Sequence, residues 1–194
     1  LVFLSSCVLI SLAIISNYSN RVSKSKFLEI LTTFSISGYA LPGIILAVAF
    51  ITFISWLDNN VINFFGLSTI KSIFIGSILG LVLVYFVRFY SLACNGIKSG
   101  YLKINYSIDE SAYLLGYSKL KTFTNIHIPY LKNSILLIGI LIAIEIIKEL
   151  PITLIMRPFN FETFATTAYI YASQDLLEAA AAPSLLLIII ASFF

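Results

Sequence analysis

Three ionisable side chains lie close together within an otherwise apolar stretch of the chain. Glu145 precedes Lys148 by three residues and Glu149 by four, so the three can share one broad face of a helix. An isolated charge costs about 2.5 kcal/mol or more at the centre of a bilayer, so we expect Lys148 to pair with Glu145 and to face a protein interior or a translocation pathway. We favour a structural ion pair that holds a bent helix before Pro151, because the sequence offers little other polar lining for a substrate.

Residues for hydrolytic, covalent or metal chemistry are scarce. The chain has one histidine, His127, and its two cysteines, Cys7 and Cys94, lie far apart in or beside apolar runs. One histidine and two distant cysteines do not make a catalytic triad, a disulfide framework or a metal site. The sequence also lacks a G-x-x-x-x-G-K-[ST] run that could hold a nucleotide. We therefore expect no enzyme activity, metal or cofactor on this chain, and we interpret His127 as a surface or interface residue.

The composition indicates that lipid surrounds the elements that carry these residues. Of the 194 residues, 59% are hydrophobic and 11% are charged, with a mean hydropathy of +1.00, whereas ordinary soluble domains have roughly 45–50% and 25%. The net charge of +3 is too small to suggest nucleic-acid binding. Because a spanning helix needs about 20 apolar residues, we predict one domain with five spans. They are 1–16, 35–56, 72–91, 133–150 and 177–194. The first and last are short, so we expect a fragment.

Positive charges predict how these spans are oriented. Nine of the twelve Lys and Arg residues fall in two connections that must share one side of the membrane. They are Arg21, Lys24, Lys26, Arg88, Lys98, Lys103, Lys119, Lys121 and Lys132. By the positive-inside rule this side is cytoplasmic. The remaining three are Lys71, Lys148 and Arg157.

The long cytoplasmic connection, residues 92–132, has the pattern of a helix, a turn and a second short helix. Ser107 and Glu110 form a capping-box pattern, which predicts that the first helix begins there. Gly116 follows where a left-handed residue would end it, and Ser118 can cap the second helix. Pro129 marks the expected boundary before the next span.

The same connection resembles the EAA loop of the membrane subunits of binding-protein-dependent ABC importers. That loop reads E-A-A, three residues, G, nine residues, I, two residues and P. It is matched here by Glu110, Ser111, Ala112, Gly116, Ile126 and Pro129. The one departure is Ser111, which stands where the loop has its first alanine, and a small residue is kept. The resemblance implies a coupling helix-turn-helix seated in a groove of an ATP-binding subunit, with Glu110 holding the local geometry and Gly116 allowing close approach.

Two further segments resemble the permeases that import ferric iron. They are a GYALPG-like segment at residues 38–43 and a segment at residues 148–163 that resembles the KELP…LLRPF segment of these permeases. The resemblance covers about residues 35–185 and implies an all-α polytopic bundle of the MetI-like ABC permease fold. Gly38, Pro42 and Gly43 fit either a hinge or a packing notch, and Glu145, Lys148, Glu149 and Pro151 fit a pathway or a bend. Arg157 lies on the outward side, in a loop or gate.

The function that this resemblance implies is import of a solute, most closely ferric iron, driven by ATP hydrolysis on another protein. Implied partners are an ABC ATP-binding subunit that holds ATP and Mg, an extracytoplasmic substrate-binding protein and a second permease half or copy. The implied location is the bacterial inner membrane. Permeases for thiamine, phosphonate, sulfate, molybdate and polyamine share the loop, so these solutes stay open. Two other functions stay open as well, an ion-coupled secondary transporter and an assembly subunit of a larger complex.

Overall fold

The fold is built from helices. The structure, a computed structural model, describes residues 1–23, 26–66 and 72–193, so Lys24, Lys71 and Phe194 lie outside it. Within these ranges no strand occurs, and the predicted all-α class is confirmed. The helices are α1 (Val2–Ser23), α2 (Lys26–Ile36), α3 (Gly43–Phe65), α4 (Ile78–Tyr101), α5 (Tyr106–Leu114), α6 (Lys119–Thr122), α7 (Ile128–Lys148), α8 (Pro151–Met156), α9 (Phe164–Ser173) and α10 (Leu177–Phe193).

Four helices of the described part are long and apolar enough to cross a membrane. They are α1, α3, α4 and a continuous helix from Lys119 to Lys148 that contains α6 and α7. α10 is apolar but shorter. Large apolar side chains such as Phe3, Trp56 and Leu137 point outward and are exposed, which suits a bundle surrounded by lipid. The five-span topology stays a prediction.

α4 is the central helix of the bundle and packs against α1 and α7. Two glycines four residues apart let α7 approach it closely. A Cβ at Gly96 would lie 2.7 Å from Cγ1 of Ile138, and one at Gly100 would lie 2.9 Å from Cδ2 of Leu131. Small residues at this spacing are a common helix contact in membranes, where close van der Waals packing replaces the hydrophobic effect. The core therefore depends on backbone proximity between α4 and α7.

Several helix boundaries differ from the expected spans. α3 begins at Gly43 instead of residue 35, because a 3₁₀ turn at Ser37–Ala40 and the N-cap residue Pro42 interrupt the chain. α4 continues to Tyr101. The expectation that Arg88 lies in a cytoplasmic connection is therefore wrong, since Arg88 lies in the middle of α4.

A buried carboxylate fixes the loop before α4. Asp58 of α3 is 2% exposed, and its oxygens accept hydrogen bonds from the backbone N–H groups of Ile73, Phe74 and Ile75 at 3.1, 2.9 and 3.0 Å. Three amides that would otherwise lack partners are thereby satisfied by one side chain. This arrangement holds the residues before α4 against the end of α3.

Replacing Asp58 with Asn should destabilise the folded bundle without changing the size of the side chain. The amide has one acceptor oxygen and no charge, so at least one backbone N–H loses its partner. We expect a loss of about 1.5–3 kcal/mol, the range for hydrogen bonds to charged groups. The check is thermal unfolding of the purified protein in detergent, with Asp175→Asn on an exposed turn as the control. Equal midpoints for the two variants would contradict this role.

Candidate functional site

The helix-turn-helix that the sequence predicts at residues 107–129 has the predicted turn, but its first helix begins at a different residue. Gly116 has a φ of +81°, so the predicted left-handed residue is confirmed, and the Ser118 hydroxyl accepts from the N–H of Lys121 at 3.3 Å as predicted. The capping box at Ser107 is wrong. Asn105 caps α5 instead, with its side chain accepting from the N–H of Ser107. Asn is as good an N-cap as Ser, so α5 starts earlier than the capping box implies and Glu110 lies too deep to reach back to the cap.

The second helix does not stop at Pro129. A π-helical turn at Phe123–His127 leads directly into α7, and the N–H of Ile128 bonds to the carbonyl of Phe123. The wider turn accommodates a proline that cannot donate a hydrogen bond. The predicted boundary and the predicted short second helix are therefore wrong. The helix from Lys119 to Lys148 has 30 residues and is about 45 Å long, so Ile126 and Pro129 lie on the same rod as a membrane span.

Residues of the loop motif surround a shallow groove between α5 and this long helix. Ser111, Ala112 and Ile126 are among its lining residues. Ala112 is 3% exposed, so a larger side chain would push the two helices apart. Glu110 is exposed, and its carboxylate has no hydrogen-bond or ion-pair partner within the described ranges. The motif thus has a packed side, made by Ala112, and an open side that carries Glu110.

The tip of the helix-turn-helix is apolar and uncovered. Leu114, Leu115 and Leu120 are 89%, 78% and 72% exposed, although charged residues flank them in the sequence. A contiguous apolar tip of this kind is typical of a surface that binds another protein.

A buried polar cluster joins α5 to the end of α1, and no local sequence pattern reveals it. One oxygen of Asp109 accepts from Nε of Arg21 at 2.7 Å, and the other accepts from Nε2 of His127 at 2.7 Å. Arg21 also donates to the carbonyl of Asn105 at 3.1 Å. His127 is 0% exposed, so its interpretation as a surface residue is wrong. It lies in the π turn, with its ring nitrogen Nε2 bonded to Asp109.

Aromatic rings enclose this cluster. The guanidinium of Arg21 lies 4.2 Å from the ring centroid of Tyr106, and the His127 ring packs edge-on against Tyr18 and Tyr101. The Tyr18 hydroxyl donates to the carbonyl of Lys119 at 2.6 Å. The helix-turn-helix is therefore attached to α1 and α4 and is not a free loop.

The GYALPG-like segment makes its closest contacts with α4. A Cβ at Gly38 would lie 2.3 Å from the carbonyl oxygen of Val87, so only glycine fits there. The guanidinium of Arg88 donates to the carbonyl of Leu41, which has no helical partner because Pro42 interrupts the helix. The Arg88 guanidinium also lies 5.6 Å from the ring centroid of Tyr39. Arg88, in the middle of the apolar helix α4, thus binds the backbone at the bend before α3.

The two segments that carry the resemblance to ferric-iron permeases meet in the structure. A Cβ at Gly43 would lie 3.1 Å from Oε1 of Glu149 and 3.5 Å from Cβ of Pro151. Oε1 of Glu149 accepts from the N–H of Ile152 at 3.3 Å, and the Thr153 hydroxyl donates to the carbonyl of Glu149 at 2.6 Å. Glu149 therefore supports the first turn of α8 and packs against the start of α3.

The ion pair between Lys148 and Glu145 is present at 2.7 Å, with the two side chains 49% and 31% exposed. The expected shared face with Glu149 is not formed. α7 ends at Lys148, and Glu149 has an extended ψ of 111°. Pro151 explains this end, because its ring would clash with the carbonyl four residues earlier if the helix continued. Two of the three charges thus lie on α7, and the third supports α8.

Arg157 lies apart from these charges, in the turn after α8. It pairs with Glu162 and donates to the carbonyl of Phe161 at 3.2 Å. Partial burial raises the pKa of Glu162, but hydrogen bonds from Arg157 and Thr166 and the charge of Arg157 outweigh it, so the pKa lies below its ordinary value. Arg157 thus holds the turn between α8 and α9 in shape.

Residues 10–194 match the model of a family described as binding-protein-dependent transport system inner membrane component. No curated protein matches the chain. Because the match covers nearly the whole chain, the protein belongs to the family of inner membrane components of binding-protein-dependent transport systems.

Proposed function

We propose that this chain is the permease subunit of an ATP-driven importer of ferric iron in a bacterial inner membrane. The observation that carries the proposal is the uncovered apolar tip of residues 114–120, next to the unpartnered Glu110. A separate ATP-binding subunit would bind this surface and supply the energy. The choice of iron is supported by the two segments that resemble iron permeases and that pack on each other around Gly43 and Glu149.

Two connections can carry motion from the docked ATPase into the membrane. The long helix Lys119–Lys148 joins the motif residues Ile126 and Pro129 to the membrane span α7 without a break. The other connection runs through the cluster at Asp109. A rigid element of this kind can shift a bundle between an inward-open and an outward-open packing when ATP brings two ATPase subunits together. The second permease half or copy would provide the other side of the pathway.

The bends near Gly43 and Pro151 are where such a change of packing would be accommodated. Both lie at membrane depth, where helix ends need partners for their backbone groups. Arg88 and Glu149 supply such partners for Leu41 and Ile152. The Lys148–Glu145 pair is partly exposed, which suits contact with a second permease subunit as well as a structural role.

The test of this function is uptake into proteoliposomes that contain the permease and its ATP-binding subunit, with the extracytoplasmic binding protein outside. We expect radiolabelled ferric iron to accumulate only when ATP is inside and the binding protein is loaded. Unlabelled thiamine, phosphonate, sulfate, molybdate and polyamine should not compete. Competition by one of these would identify a different substrate for the same machinery. Uptake without the ATPase that collapses with the proton gradient would instead support a secondary transporter.

A further inference from the structure

The cluster of Arg21, Asp109 and His127 connects parts of the chain that are distant in sequence. Arg21 lies near the end of α1, Asp109 lies in α5, and His127 lies in the π turn that leads into α7. The loop motif includes none of the three. Outside this cluster, α5 is held by the burial of Ala112 and by the packing of Ile108 against the core.

The chemistry of the cluster makes it a stiff connection. The Asp109 carboxylate can only accept hydrogen bonds, so Nε2 of His127 must carry the proton that lies between them. Arg21 neutralises the carboxylate, and its side chain is 7% exposed. Breaking a buried pair leaves an uncompensated charge away from water. Any displacement that separates α5 from α1 is therefore strongly opposed.

α1 links the cluster of Arg21, Asp109 and His127 to the core of the bundle. α1 packs along both α4 and α7, and its residues Leu9 and Ala13 are buried in the core. A displacement of its cytoplasmic end therefore reaches the centre of the bundle. The long helix also packs against α1 through α7, and the cluster adds a direct polar connection from α5 to the cytoplasmic end of α1.

We infer that Arg21, Asp109 and His127 are positioning residues that make α5 and the cytoplasmic end of α1 respond to the ATPase as one body. The inference rests on the proposed function, since it assumes that an ATPase pushes on α5. The three residues do not contact the transported solute. They determine how much of the movement at α5 reaches α1.

The experiment is hydrogen exchange on the complete transporter in nanodiscs, compared without nucleotide and after trapping with ATP and vanadate. In the wild type, exchange should change both in α5 and in residues 17–23 of α1. In Asp109→Asn, the change in α5 should remain and the change in α1 should fall about tenfold, within the usual range of coupling between sites. Iron uptake per ATP hydrolysed should fall in parallel.

Histidine variants provide a second test if Asp109→Asn fails to assemble. His127→Gln keeps a donor toward Asp109 and should transmit the change to α1, whereas His127→Leu removes the donor and should not. Glu178→Gln, which neutralises an exposed carboxylate in α10, should behave like the wild type. These measurements distinguish lost transmission from lost stability. A variant that is only less stable would weaken the response in α5 as well as in α1.

The outcomes separate this inference from the proposed function. A full response of α1 in Asp109→Asn or in His127→Leu would overturn the inference. If exchange in the wild type changes in α5 but not in α1, the inference is overturned as well. If trapping changes nothing in α5, then the ATPase does not act there, and the proposed function fails together with the inference.

Discussion

Replacing Gly116 with Val is expected to lower ATP-driven uptake strongly while the protein still inserts and folds. At φ +81° a residue with a Cβ is strained by about 1–2 kcal/mol, and a β-branched residue by more. The strain would open the turn in which the N–H of Tyr117 bonds to the carbonyl of Ala112 at 3.0 Å. The tip between α5 and α6 would then change direction. The measurement is uptake and ATP hydrolysis in proteoliposomes, with uptake falling at least about tenfold.

A matched variant separates backbone strain from contact with the partner. A Cβ at Gly116 would meet no atom within 4 Å in the described chain, so packing of the bundle itself is unaffected. Gly116→Asn tolerates the left-handed conformation and should keep the turn. If it restores uptake, the backbone conformation is what matters. If it is as inactive as Gly116→Val while the turn is intact, the ATPase needs the bare backbone there. Normal uptake in Gly116→Val would contradict the coupling role.

Replacing Gly38 with Ala is expected to lower both stability and uptake, although only one methyl group is added. The new Cβ would lie 2.3 Å from the carbonyl oxygen of Val87, and backbone of a packed helix cannot move aside cheaply. Overpacking of this kind costs about 1–3 kcal/mol. Separating the segment from α4 would also remove the contact between Arg88 and the Leu41 carbonyl. Thermal unfolding in detergent and uptake in proteoliposomes measure the two effects.

Gly139→Ala is the control for this substitution. Its Cβ would meet Cδ1 of Ile10 at 3.2 Å, the flexible end of a side chain that can move aside, and alanine favours the helix. We therefore expect no loss of stability in Gly139→Ala. Equal stability of Gly38→Ala and Gly139→Ala would show that the close approach at Val87 is not required.

The features that the sequence predicts correctly are local or compositional. Lipid as the surrounding medium follows from the low charge content, and the left-handed Gly116 and the Ser118 cap follow from residue types within one turn of a helix end. The pair of Glu145 and Lys148 also lies within one turn. The turn between α5 and α6 is predicted for the same reason, whereas the start of α5 and the end of the second helix are not.

The features that the sequence does not predict depend on contacts between distant parts of the chain. Arg21 and Asp109 are 88 residues apart, and nothing in the local pattern marks Asp109 as a buried partner. The burial of His127 is not predicted because a π turn shifts which residues face inward. Because charged residues are rare in membrane spans, the sequence favours a loop position for Arg88. In the structure Arg88 lies in α4 and binds the Leu41 carbonyl, which is left without a helical partner before Pro42.

The π turn at Phe123–His127 also sets the rotation of everything that follows it. Such a turn contains one residue more than an α-helical turn, which rotates the downstream side chains by roughly 100° about the helix axis. Deleting one residue there would leave the length of the rod almost unchanged but would point Glu145 and Lys148 in another direction. The direction in which the Glu145–Lys148 pair points is thus set at the opposite end of the long helix, some five helical turns away.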